Sequence, residues 1–83
     1  MNRDFLKFQP EIADALAEKQ PVVALESTVI THGLPWPQNI ETAQAMEAAV
    51  RESGSIPATL ALINGEIQIG LGADQLEFLA QQS

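Results

Sequence analysis

Three consecutive polar residues, Glu26, Ser27 and Thr28, close the apolar run Val22-Val23-Ala24-Leu25. A carboxyl at the end of a buried strand loses water, and desolvation disfavours its charged form. Such a group is suited to giving or taking a proton during a reaction. Two hydroxyls follow Glu26 directly, and His32 and Asn39 lie in or beside the next loop. This stretch thus gathers an acid, two hydroxyls, an imidazole and an amide. Each also has a plainer reading. Glu26 marks the point where a strand surfaces, and Ser27 and Thr28 are turn or capping groups. His32 is a structural histidine, Trp36 between two prolines is a packing plug, and Asn39 is a helix cap.

The elements around these residues follow from hydrophobic patterning. The run Val22–Leu25 does not alternate, which suits a strand covered on both faces, as in a parallel sheet. In open α/β sheets ligands bind outside the carboxyl ends of strands, and Glu26 falls near that end. Upstream, a short helix is expected over residues 9–19. Pro10 suits its first position and Glu11 its first turn. Ile12, Ala15 and Leu16 recur at helical spacing, Lys19 closes the last turn, and Pro21 ends the pattern.

Downstream, Gly33, Pro35 and Pro37 make 31–39 a loop. A helix over 40–53 takes Asn39 as N-cap and Gly54 as the residue just past its end. Ile40, Ala43, Met46 and Val50 form its buried stripe, with Glu47, Arg51 and Glu52 outside. Residues 57–63 read as a second apolar strand. Asn64-Gly65 is a two-residue hairpin turn, which needs positive φ twice. Residues 66–70 return as its partner, with Ile67 and Ile69 on one face, and 73–80 begin another helix. The order helix, strand, helix, strand, hairpin strand, helix defines an α/β fold. We read residues 1–83 as the N-terminal part of a single α/β/α layered sheet domain.

Composition narrows the chemistry. A chain of 83 residues supplies one small domain, and a domain of that size buries only about 60% of the surface its unfolded form exposes. There is no cysteine and one histidine, His32, which excludes disulfides and a clustered His/Cys zinc site within the chain. The net charge is −7, and Arg3, Lys7, Lys19 and Arg51 do not cluster, which argues against a nucleic-acid partner. No apolar run approaches a membrane span. The first ten residues lack the apolar core and small-residue cleavage site of a signal peptide. A cytoplasmic protein is expected.

Residues 21–43, PVVALESTVITHGLPWPQNIETA, resemble the N-terminal signature of the pseudouridine-5'-phosphate glycosidases, with ALEST, HG and PQN at the family's spacing. Residues 55–71, SIPATLALINGEIQIGL, resemble that family's VPAT strand and hairpin, and PEIADAL near the start also fits. The resemblance implies reversible cleavage of the C–C glycosidic bond of pseudouridine 5'-phosphate to uracil and ribose 5-phosphate. It implies an opened sugar held as an imine on a lysine, a glutamate as proton donor, and a divalent metal, manganese. By position in the LEST motif, it implies that Glu26 is the catalytic glutamate. Thr28 and His32 are the candidates for contacting substrate.

The chain departs from the family's pattern elsewhere. Lys7 and Lys19 both precede the motif, and Asp74 does not match the metal-binding aspartate. The imine lysine, the metal ligand and most phosphate contacts lie further downstream in the family. The resemblance therefore implies a truncated chain with no metal ligand of its own, inactive alone, and a homotrimer for the full-length form only. The alternative is a non-catalytic complementing subunit, or a relic, that docks onto the downstream half.

Overall fold

The computed structural model describes residues 6–82, with the backbone alone of Val29. Its elements are β1 (Leu6–Phe8), α1 (Pro10–Ala17), β2 (Val22–Glu26), a π-helical turn (Val29–Gly33), α2 (Gln38–Glu52), β3 (Ile56–Ile63), β4 (Glu66–Ile69) and α3 (Ala73–Ala80). The four strands form one mixed sheet in the order β1-β4-β3-β2. β2 runs parallel to β3, with Val22 opposite Ile56 and Glu26 opposite Leu60. β3 and β4 form the antiparallel hairpin, and β1 runs parallel to β4.

The α/β reading and the two inner strands stand as expected. Asn64 and Gly65 take φ of 53° and 77°, the two positive values that a type I' hairpin turn requires. Gly54, just past α2, also has positive φ, and α3 covers the residues assigned to it.

Several expectations need correction. β1 precedes the helix and was not anticipated: three residues carry no period, and the strand exists because β4 offers it an edge. α1 ends at Ala17, and Lys19 lies beyond it with φ 58°. Leu16, assigned to the buried stripe, is 50% exposed. β2 is not covered on both faces. Among the described residues it is the edge strand of the sheet, and Val23 and Ala24 are exposed. In α2, Asn39 is the second helical residue rather than the cap, Met46 is exposed, and Glu47 is half-buried.

Side chains alternate across a strand, so β3 serves two faces. Thr59, Ala61 and Ile63 share one of them. There Ala61 joins Ile30 of the π-helical turn, Ala43 of α2, Leu71, and Leu76, Leu79 and Ala80 of α3 in the main core, with Ile40 and Ile63 packed against it. Burying a side chain the size of Ile30 contributes about 2 kcal/mol. Ala58, Leu60 and Leu62 point the other way. α1 packs on β2 and β3, burying Ile12 and Ala15. The end of β4 closes on α1 at Gly70, whose φ is +88° and where a Cβ would lie 2.5 Å from Ile12 Cγ1. α1 is also tied to the end of α2 by a bidentate pair, with Arg51 Nη1 and Nη2 each donating at 2.8 Å to the Glu11 carboxylate. Those hydrogen bonds, and the guanidinium charge after them, hold the Glu11 carboxyl below its ordinary range.

Candidate active site

Glu26 is the last residue of β2, at its carboxyl end. The backbone then turns at once. The Ser27 carbonyl accepts from the N–H of Ile30 at 2.9 Å and of Thr31 at 3.2 Å, and Thr31 Oγ1 also donates to it at 3.3 Å. These bonds lead the chain from β2 into the π-helical turn Val29–Gly33, where the sequence read partly as loop. The turn drives Ile30 into the core at 1% exposure. Thr28 has helical φ and ψ of −58° and −37° and makes no capping bond to the turn. Its hydroxyl donates instead to Glu26 Oε1.

Glu26 borders a shallow surface cleft, open to solvent and without an enclosed cavity, lined also by Leu25, Ile30, Ala43, Met46 and Thr59. The walls are mostly apolar, and the carboxylate stands at the rim. Glu26 is exposed, which corrects the expectation of a desolvated carboxyl. The burial foreseen for it required cover on β2 that the described residues do not supply. Beneath the cleft, buried Thr59 donates to Glu47 Oε2 at 2.6 Å, which ties α2 to β3.

Of the other residues singled out, Thr28 meets Glu26 and His32 does not. His32 is exposed near the end of the π-helical turn, and among the described residues no hydrogen bond joins it to Glu26. Asn39 serves the fold. It is 2% exposed, and its Nδ2 donates to the Ile30 carbonyl at 2.9 Å and the Ala80 carbonyl at 2.7 Å. It therefore pins the turn to both α2 and the end of α3. A polar residue just before an apolar helix reads as a cap, and the sequence held no signal for two partners so far apart in the chain. Trp36 is 46% exposed, which corrects its reading as a packing plug.

No cation reaches the cleft among the described residues. Lys7 lies on β1, at the opposite edge of the sheet from β2, and pairs with Glu66 at 3.5 Å. Lys19 precedes the start of β2, Arg51 is engaged with Glu11, and Arg3 lies outside the described residues. Nor do three His, Asp or Glu side chains of the described residues converge to hold a metal ion. The residues present do not fit the manganese that the resemblance implies. Among the described residues no helix is long and apolar enough to cross a membrane.

A mixed sheet with helices packed on it, and a carboxyl and a hydroxyl at the end of one strand, defines an α/β protein. Residues 11–83 match the family described as indigoidine synthase A like protein. Two curated relatives are both named pseudouridine-5'-phosphate glycosidase. The one from Caldanaerobacter subterraneus subsp. tengcongensis is 58% identical over 79 residues, covering 95% of this chain and 25% of the relative. The one from Paracoccus denitrificans is 59% identical over 75 residues, covering 90% and 25%. Among solved structures, the prealnumycin C-glycosynthase AlnA in complex with ribulose 5-phosphate aligns with a TM-score of 0.78 at 42% identity, over 95% of this chain and 25% of that one. The chain belongs to this family, that of the indigoidine synthase A like proteins. It spans about a quarter of the length of the curated relatives it matches.

Proposed function

We propose that this chain is the N-terminal part of a single-domain C-glycosidase. It would supply the proton donor, Glu26, for cleavage of pseudouridine 5'-phosphate to uracil and ribose 5-phosphate. The observation that carries the reading is the position of Glu26 at the carboxyl end of β2, beside an apolar cleft. Two relatives named for this activity support the substrate, and a C-glycosynthase in complex with ribulose 5-phosphate supports a sugar phosphate joined through carbon.

The reaction consumes one water. The C–C bond between sugar and base breaks, its electron pair stays with the base carbon, and that carbon takes a proton. The sugar carbon ends at the aldehyde level, with the oxygen of water. An imine to a lysine would turn the opened sugar into an electron sink, and Glu26 would deliver the proton. Lys7 and Lys19 are remote from Glu26, so the lysine, the phosphate contacts and any metal ligands belong to sequence other than these 83 residues. No step is routed through a metal, and the chain alone is inactive.

The test joins residues 1–83 to the downstream three quarters of the Caldanaerobacter relative and follows uracil release. The chimera should turn over, the 83-residue chain alone should not, and Glu26→Gln should lower kcat by about 10²–10⁴-fold. An E26Q chimera of undiminished kcat would remove Glu26 from the chemistry. A second reading, a complementing subunit, is favoured by the exposed edge of β2. Uracil release on mixing the chain with a separately made downstream part would support it.

A further inference from the structure

We propose that Thr28 is a positioning residue for Glu26: its hydroxyl holds Oε1, so that Oε2 is the atom that carries and gives up the proton. The inference rests on the reading of Glu26 as proton donor.

Thr28 stands at the start of the π-helical turn, where a threonine commonly caps backbone N–H groups. Here it makes no such bond. The turn's first N–H groups, those of Ile30 and Thr31, are already taken by the Ser27 carbonyl. The Thr28 hydroxyl accepts from neither of them and donates to Glu26 Oε1. A free carboxyl rotates about its last bond and presents its two oxygens alike. One oxygen engaged by a fixed donor removes that symmetry.

The donor is fixed. Thr28 is exposed, but β-branching leaves it few χ1 rotamers, and its backbone lies between β2 and a turn anchored by buried Ile30. Asn39 Nδ2 clamps the carbonyl of that same Ile30 at 2.9 Å. The orientation of an exposed carboxyl is thus set from the core, through Asn39, Ile30 and Thr28. In the reaction the proton leaves Oε2 for the base carbon as the C–C bond breaks. Oε1 keeps its hydrogen bond, and the carboxylate is reprotonated from water.

The test measures full kinetics of uracil release in the chimera described above, for Thr28→Val, Thr28→Ser, Glu26→Gln and the double variant T28V/E26Q, with Thr28→Ala as a second apolar replacement. T28V and T28A should lower kcat about tenfold to a hundredfold with KM essentially unchanged, the scale that misplacing a reacting group produces. T28S, which keeps the hydroxyl, should stay within about threefold of the parent. The double variant should be no slower than E26Q alone, because residues that act as a unit are not additive.

Four outcomes would overturn the proposal: T28V and T28A leaving kcat unchanged, a change in KM alone, T28S as slow as T28V, or a double variant slower than E26Q by the full T28V factor. The last would mark Thr28 as a merely structural residue. E26Q with undiminished kcat would instead sink the underlying reading of Glu26, and a parent chimera that releases no uracil would sink the reading of the chain as part of a C-glycosidase, before Thr28 is reached.

Discussion

Asn39 is, with Thr59, one of two buried polar or charged residues among those described, and its chemistry dictates what can replace it. Its amide nitrogen serves two carbonyls from distant parts of the chain, while its Oδ1 accepts from the Ile40 N–H at 2.8 Å. Removing the amide leaves two buried acceptors without a donor, each a desolvated group with no partner. Asn39→Ala should therefore destabilise the fold by roughly 2–3 kcal/mol. Asn39→Asp keeps the shape and Oδ1 but sets an acceptor against both carbonyls and brings a carboxylate into a buried site. It should cost more than Asn39→Ala despite its closer size. Equilibrium urea denaturation of the two variants decides this, and an aspartate variant as stable as the alanine one would contradict the bonding described. Glu26 and Thr28 are the other consequential pair at this scale, and their tests are the kinetic ones given above.

At the scale of elements, two glycines with similar backbone angles do different work. Gly54 has φ +92° and open space around any added Cβ, whereas Gly70 has φ +88° and a Cβ that would meet Ile12 Cγ1 at 2.5 Å and Gln9 Cβ at 3.0 Å. Gly54 ends α2, so Gly54→Ala costs only the left-handed backbone penalty, about 1–2 kcal/mol. Gly70 also admits α1 to the end of β4. Gly70→Ala should add a packing cost of typically about 1–3 kcal/mol to the same penalty. Denaturation midpoints of the two variants should separate accordingly, and equal losses would mean that α1 does not close on β4 as described.

At the scale of the whole molecule, the sheet leaves apolar surface uncovered. Leu62 is 70% exposed and Ile67, its partner across the hairpin, 36%. Phe8 on β1 is 40% exposed, and Val23 on the β2 edge is 38% exposed. Apolar side chains grouped on one sheet, together with an open strand edge, promote association. Leu62→Lys should reduce self-association of the chain, read by sedimentation velocity, and leave its melting temperature nearly unchanged, because that side chain contributes little buried area. An unchanged association state would exclude the face that carries Leu62 and Ile67 as the contact.

Much of this molecule was legible along the chain. Asn64-Gly65 set the hairpin because few dipeptides adopt positive φ twice, and Gly54 marked the end of α2 for the same local reason. The apolar runs around residues 22–25 and 57–63 specified strands, and ALEST, HG and PQN at their spacing identified the family. These are properties of neighbouring residues, which act through backbone conformation and side-chain period. Tertiary structure decided the rest. β1 is a strand only because β4 offers it partners, and β2 is an edge because its place in the sheet depends on what lies beside it. Glu26 is exposed for that reason, whatever the hydrophobicity of the residues before it. Asn39 became a clamp when folding brought the Ile30 and Ala80 carbonyls to it, and Thr28 met Glu26 because a π-helical turn replaced a loop. Burial and hydrogen-bond partnership are set by residues distant in the chain, and periodicity carries no record of them.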